Sequence, residues 1–105
     1  MSRKVLVADL DEVVAALISH ILSRQGYSVD VALTAQTAAA CLSQWDYGAI
    51  LLDSRLISAL DGFSDRTSRT ILLSPSVSSD LPVRAVLQKP VELALLIDTV
   101  AECVK

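Results

Sequence analysis

The hydrophobic residues of the chain fall into two patterns, and each pattern predicts a different kind of element. Short runs that are almost wholly apolar predict five β-strands, at residues 4–8, 28–32, 49–53, 70–73 and 83–87. The run at residues 28–32 is more polar than the others, as expected of an edge strand. The unbroken run at residues 49–53 is typical of a central strand of a parallel sheet that helices cover on both faces.

Between these runs, apolar residues recur at the three- and four-residue spacing of amphipathic helices. The first helix is predicted over residues 12–25, just before Gly26, and the second follows a Thr34 cap and runs to about residue 44. The last helix is predicted to have Pro90 at its first position, where proline is favoured. Residues 54–69 give at most a partial helical turn, and residues 74–82, with two prolines and four serines, indicate a loop.

Composition limits the classes of protein to which the chain can belong. Its 105 residues, of which 52% are hydrophobic, predict a single folded domain spanning residues 1–105, with no output domain. The net charge of −3 provides no basic surface for nucleic acid. No apolar segment is long enough to span a membrane and no secretory signal precedes the first strand, so we expect a cytoplasmic protein.

Polar side chains follow four of the predicted strands: Asp9, Asp53, Ser74 and Lys89. If these strands are parallel, the four side chains meet at one edge of the sheet, where ligands bind in open α/β folds. Carboxylates bind Mg²⁺, while a lysine and a hydroxyl can contact phosphoryl oxygens. The set therefore predicts phosphoryl chemistry at this edge.

The motifs Val5-Leu6-Val7-Ala8-Asp9, Leu51-Leu52-Asp53, Ile71-Leu72-Leu73-Ser74 and Lys89-Pro90, with Gly26-Tyr27 between them, resemble the receiver domain of bacterial two-component response regulators. The resemblance covers essentially the whole chain. It implies that Asp53 accepts a phosphoryl group from a kinase histidine, and that Asp9 and Asp53 bind Mg²⁺. It further implies that Ser74 is the switch hydroxyl and that Lys89 contacts the phosphoryl group.

Several residues depart from the pattern of that family. Leu10 replaces the second of two adjacent acids, so we expect weakened Mg²⁺ binding; Asp11 is the candidate to compensate, although a helix N-cap is its favoured role. Leu56-Ile57 replaces the family's Met-Pro, Pro75 stiffens the loop after Ser74, and Val86 stands where many members have an aromatic switch residue.

The resemblance and the element order together predict an α/β fold: a flavodoxin-like, doubly wound, five-stranded parallel sheet in the order 2-1-3-4-5. The first and last helices are expected on one face and the second helix on the other. Residues 54–69 and 74–82 are short for the family's third and fourth helices, which we expect to be shortened or missing. An apolar patch near strands four and five is then expected as a partner or dimer surface.

Three functions remain open from the sequence. The first is a stand-alone receiver, not an enzyme, that is phosphorylated on Asp53 and signals by binding another protein. Its expected partners are a histidine kinase or phosphotransfer protein, a downstream target and, in a homodimer, a second copy. The second is a pseudo-receiver that binds partners without phosphorylation. The third is a haloacid-dehalogenase-like phosphatase with Asp9 as nucleophile and Asp11 as general acid/base.

The role of Arg55 is also open. It lies two positions after Asp53, and its side chain either pairs with Asp53 or a phosphoryl group, or is solvated.

Overall fold

The computed structural model describes residues 3–76 and 82–105, which contain five short strands, three α-helices and two 3-10 helices. The strands are β1 (Lys4–Ala8), β2 (Ser28–Ala32), β3 (Ala49–Asp53), β4 (Thr70–Ser74) and β5 (Ala85–Gln88). The α-helices are α1 (Glu12–Arg24), α2 (Ala35–Gln44) and α3 (Leu93–Val104). Two 3-10 helices, Ser54–Leu60 and Ser64–Arg69, connect β3 to β4. The loop expected at residues 74–82 lies partly outside the described residues.

All strand pairs of the sheet are parallel, in the order β2-β1-β3-β4-β5. The register keeps the carboxyl ends of the inner strands level, because Asp53 pairs with Leu73 and Ser74 pairs with Gln88. The structure thus confirms the predicted fold class and strand order. It also brings the ends of β1, β3, β4 and β5 to a single edge of the sheet.

Each face of the sheet packs against its own set of helices. On one face α1 and α3 contribute the buried residues Ala15, Ile18, Leu22, Leu96, Val100, Cys103 and Val104. On the other face α2 and the first 3-10 helix contribute Ala38, Leu42, Leu56, Ala59 and Leu60. Every residue of β3 is buried between these layers, as its unbroken apolar sequence predicts. The distribution of the helices over the two faces is as predicted.

The last strand and helix begin later than the sequence predicts. Strand β5 starts at Ala85, and helix α3 starts at Leu93 with Glu92 as its N-cap, so the prediction that Pro90 opens the helix is wrong. The reason lies in the sheet: the Lys89 amide donates to the Ser74 carbonyl at 2.8 Å, which extends the pairing of β4 and β5 one residue beyond Gln88. Pro90 follows a cis peptide bond and lies in the turn between β5 and α3.

The prediction of an exposed apolar patch on the second face near β4 and β5 is wrong for the residues that the structure describes. The first 3-10 helix covers part of this face, because it buries Leu56, Ala59 and Leu60. Within residues 3–76 and 82–105, the exposed large apolar side chains lie elsewhere: Leu10, Val13, Leu17, Val31, Leu33, Trp45, Leu93 and Leu95. The described part of the chain contains no helix long and apolar enough to cross a membrane.

Candidate functional site

Asp9 and Asp53 lie side by side at the ends of the adjacent strands β1 and β3. Both residues are buried, with 0% and 2% of their surface exposed, although carboxylates almost never lose their contact with water unless they are paired. The backbone holds Asp9 in place, since its amide donates to the Ala32 carbonyl at 3.1 Å. The predicted meeting of the two carboxylates is therefore present.

Lys89 joins the two carboxylates. Its Nζ lies 2.7 Å from Asp9 Oδ2 and 2.7 Å from Asp53 Oδ2. Burial alone lowers the pKa of Lys89, but the hydrogen bonds to Asp53 and Asp9 outweigh burial and raise this pKa above its ordinary value. The lysine predicted from the end of the last strand therefore reaches the site and is a cation at neutral pH.

Arg55 holds Asp53 from the side that faces solvent. Its Nε and Nη2 donate to Asp53 Oδ1 and Oδ2 at 3.0 and 2.7 Å, and its backbone amide donates to Oδ1 at 2.8 Å. Nη2 also lies 3.8 Å from Asp9 Oδ1. Of the two roles open from the sequence, the pairing of Arg55 with Asp53 is the one present. The forked contact is the geometry in which arginine binds a carboxylate most strongly.

The two cations fix the ionisation of Asp53. Burial alone raises the pKa of this carboxyl, but the hydrogen bonds from Arg55 and Lys89 outweigh it and hold the pKa well below its usual range. Asp53 is therefore ionised at neutral pH. A carboxylate in this state has the lone pairs that a nucleophile needs.

Ser74 lies at the same edge, but the described hydrogen bond of its hydroxyl is made with its own loop and not with Asp9, Asp53 or Lys89. It ends β4 opposite Gln88, and its hydroxyl accepts a hydrogen bond from the Ser76 amide at 3.3 Å. Its described hydrogen bond is thus made within its own loop. An open cavity of about 320 Å³ lies beside Asp53 and is lined by Asp53, Ser54, Arg55, Pro75 and Lys89.

The sequence analysis missed Ser54 as a lining residue and treated Pro75 only as a stiff residue of the loop. The position of each directly after a strand that ends at the site was the available signal.

Asp11 has the structural role favoured from the sequence. Its Oδ1 accepts from the amides of Val13 and Val14 and caps α1. That carboxylate is therefore engaged at the start of the helix, which disfavours it as a general acid/base.

The donor set does not fit Mg²⁺ as it is arranged. Both oxygens of Asp53 accept hydrogen bonds from Arg55, and its Oδ2 also accepts from Lys89. Asp9 accepts from Lys89 through Oδ2 and from the Asp11 amide through Oδ1. The Leu10 side chain supplies no ligand oxygen, and within residues 3–76 and 82–105 no group of three or more His, Cys, Asp or Glu side chains is arranged to hold a metal ion. A divalent ion would have to displace cations that are already bound.

Comparison with known proteins identifies the fold. No protein-family model and no curated protein matches the chain. Among solved structures, a Francisella response-regulator receiver domain superposes with a TM-score of 0.83 at 24% identity, covering 96% of this chain and 95% of that one. A chemotaxis response regulator of Vibrio cholerae gives 0.82 at 20% identity, covering 98% and 99%. The signal receiver domain of an HD-domain protein from Pseudomonas fluorescens gives 0.81 at 18%, covering 98% and 94%. The chain therefore has the receiver-domain fold.

Proposed function

We propose that the chain acts as a receiver domain in two-component signal transduction, with Asp53 as the phosphoryl acceptor. The observation that carries this proposal is the state of Asp53: an ionised carboxylate, at the end of a central strand, on the wall of an open cavity. Lys89 contacts the same carboxylate at 2.7 Å, where an ammonium group also reaches the oxygens of an incoming phosphoryl group.

The proposed step is a transfer from a phosphohistidine. One oxygen of Asp53 attacks phosphorus, the new P–O bond forms as the P–N bond breaks, and the electron pair stays on the imidazole nitrogen, which takes up a proton. Lys89 offsets the charge of the transferred group while it remains bound to Asp9. No part of this step is assigned to a metal ion, because the carboxylates are occupied by Lys89 and Arg55.

The phosphodonor is proposed to be a histidine kinase or a phosphotransfer protein that docks next to the cavity. An apolar groove of about 450 Å³ lies there, between α1 and the turn before α3, and Lys89 lines it as well. Its apolar lining residues are Val14, Leu17, Ile18, Pro90, Val91 and Leu93. A donor bound in this groove has its phosphohistidine close to Asp53. A downstream target or a second copy of the chain is the proposed recipient of the signal.

One observation favours a second function, that of a pseudo-receiver that binds partners without phosphorylation. Arg55 and Lys89 already balance the charges of Asp9 and Asp53 and cover the oxygens that attack phosphorus. If these ion pairs do not open, the domain has a single state, and its exposed apolar side chains on α1 and α3 act only in binding.

Amide NMR with a small phosphodonor separates the two functions. Acetyl phosphate and phosphoramidate are added to the wild type and to Asp53→Asn, each with and without Mg²⁺. We expect shifts at the amides near Asp53, Ser74 and Lys89 in the wild type and none in Asp53→Asn. An Asp65→Asn variant, which alters an exposed carboxylate away from the site, should respond like the wild type. Identical wild-type spectra before and after every phosphodonor would favour the pseudo-receiver.

A further inference from the structure

The role of Arg55 extends beyond the proposed transfer. We propose that its guanidinium is a built-in counter-cation of the Asp9–Asp53 pair, that it competes with divalent metal ions for these carboxylates, and that it makes the site independent of Mg²⁺. The last part of this inference rests on the proposed function, whereas the competition with metal ions is measurable without any phosphoryl group.

The first step of the argument is the geometry of the contact. Arg55 uses three donors on Asp53, namely its backbone amide, Nε and Nη2, at 2.8, 3.0 and 2.7 Å. The same Nη2 lies 3.8 Å from Asp9 Oδ1, so the guanidinium lies near both carboxylates. A divalent ion that binds both acids needs oxygens that these donors now cover.

The second step is the charge of the site. Asp9 and Asp53 contribute two negative charges, and Lys89 and Arg55 contribute two positive charges within 4 Å of them. Leu10 adds no further charge beside Asp9. These four groups are therefore neutral together without a metal ion, and a divalent cation that enters the site meets two positive charges at short range.

The third step is the difference between the two cations. The Lys89 side chain is 22% exposed and bonds to both buried acids, whereas the Arg55 side chain is 58% exposed and lines the open cavity. Arg55 is therefore the cation that can swing towards solvent while Lys89 stays in place. It also lies within reach of a group attached to Asp53, where its planar fork fits phosphoryl oxygens.

Metal binding tests the competition directly. Mn²⁺ and Mg²⁺ are added to the wild type, Arg55→Gln and Arg24→Ala without a phosphodonor, and binding is followed by calorimetry and by Mn²⁺ broadening of the amides of Asp9 and Ser54. We expect Arg55→Gln to bind both ions at least about tenfold more tightly than the wild type does, because one nearby positive charge is gone. Arg24→Ala removes a positive charge in the last turn of α1 and should bind like the wild type.

Two outcomes would overturn the proposal. One is equal metal affinity in the wild type and Arg55→Gln. The other is metal binding by the wild type with no loss of the hydrogen bond between the Arg55 Nε–H and Asp53, which the NMR signal of that proton reports. Arg55→Lys keeps the charge without the fork, and its affinity should fall between those of the wild type and Arg55→Gln. It provides a second measurement if the glutamine variant does not fold.

Phosphorylation with and without a chelator distinguishes a failure of this inference from a failure of the proposed function. We expect phosphoramidate to modify wild-type Asp53 at rates that differ by less than about twofold between Mg²⁺ and chelator, and Arg55→Gln to depend strongly on Mg²⁺. If neither protein is modified but Arg55→Gln binds metal more tightly, the receiver function fails and the metal competition stands. Wild-type phosphorylation that requires Mg²⁺ would overturn the claim of metal independence.

Discussion

Arg55 binds both oxygens of Asp53 through its side chain, with Nε 3.0 Å from Oδ1 and Nη2 2.7 Å from Oδ2. The contact is local, because Arg55 follows Asp53 by two positions at the start of the first 3-10 helix. An acidic residue proposed to accept a phosphoryl group is thus held by its near neighbour. The exposed Arg55 side chain therefore covers Asp53 together with Lys89, which contacts Oδ2 at 2.7 Å.

Lys89→Ala should destabilise the fold, because it leaves Asp9 and Asp53 buried without the ammonium group that joins them. We expect the free energy of unfolding, measured by urea denaturation at neutral pH, to fall by about 3 kcal/mol. Lys105→Ala removes a lysine whose side chain is 72% exposed and should change the stability little. Equal stabilities of these two variants would show that the Lys89 bridge contributes nothing to folding.

The stability of the wild type should depend on Asp53 at acidic pH. The pKa of this carboxyl is lower in the folded protein than its value of about 3.9 in an unfolded chain. Its contribution is therefore present above pH 3.9 or so and is lost as the pH falls through the folded-state pKa. Between about pH 5 and pH 2.5, the wild type should lose more unfolding free energy than Asp53→Asn in urea titrations. Parallel losses would contradict the depressed pKa.

Tyr47→Phe should lower the stability of the fold away from the site, where Tyr47, just before β3, contacts Asp30 of β2. The Tyr47 hydroxyl donates to Asp30 Oδ2 at 2.7 Å although the tyrosine itself is fully buried, while Lys4 pairs with the same carboxylate at 3.3 Å. Removal of the hydroxyl should lower the unfolding free energy by about 1 kcal/mol, because Asp30 keeps its lysine and part of its hydration. Phosphorylation by a small phosphodonor should not change. An effect on that reaction without a loss of stability would contradict a purely structural role.

Leu17→Glu should impair recognition of a protein phosphodonor and leave the chemistry intact. Leu17 is half exposed on α1 and lines the groove beside Lys89. The test uses a phosphorylated phosphotransfer protein that is active on the wild type. A carboxylate at residue 17 should lower the rate of transfer from this donor by about tenfold or more, because it places an unpaired charge in the buried interface. The rate with acetyl phosphate should stay the same. Leu33→Glu is the matched control and should behave like the wild type, because the partly exposed Leu33 follows the edge strand β2 and does not line the groove.

Much of the fold follows from the sequence because its strands are short, apolar and buried. The run at residues 49–53 fixed the central strand, and parallel pairing then brought Asp9, Asp53 and Lys89 together, as predicted. These inferences depend on patterns repeated along whole elements. They therefore tolerate errors of a few residues, such as the late start of β5.

Other features depended on local backbone geometry that periodicity does not encode. Residues 54–60 form a short 3-10 helix with non-helical backbone angles at Leu56, and seven residues are too few to show a repeated period, so the burial of Leu56 and Leu60 on the second face was not predicted. For Arg55 both pairing and solvation were open, because an exposed arginine near an acid is often solvated. The 3-10 helix that begins at Ser54 directs the Arg55 side chain back towards Asp53.

The most direct test of the proposed function is the location of the phosphoryl group. The wild type and Asp53→Asn are treated with phosphoramidate, the acyl phosphate is trapped by borohydride reduction, and peptides are sequenced by mass spectrometry. We expect reduction of Asp53 to homoserine in the wild type and no modified peptide in Asp53→Asn. Modification of Asp9, or an unmodified wild-type chain, would contradict the assignment of Asp53 as the phosphoryl acceptor.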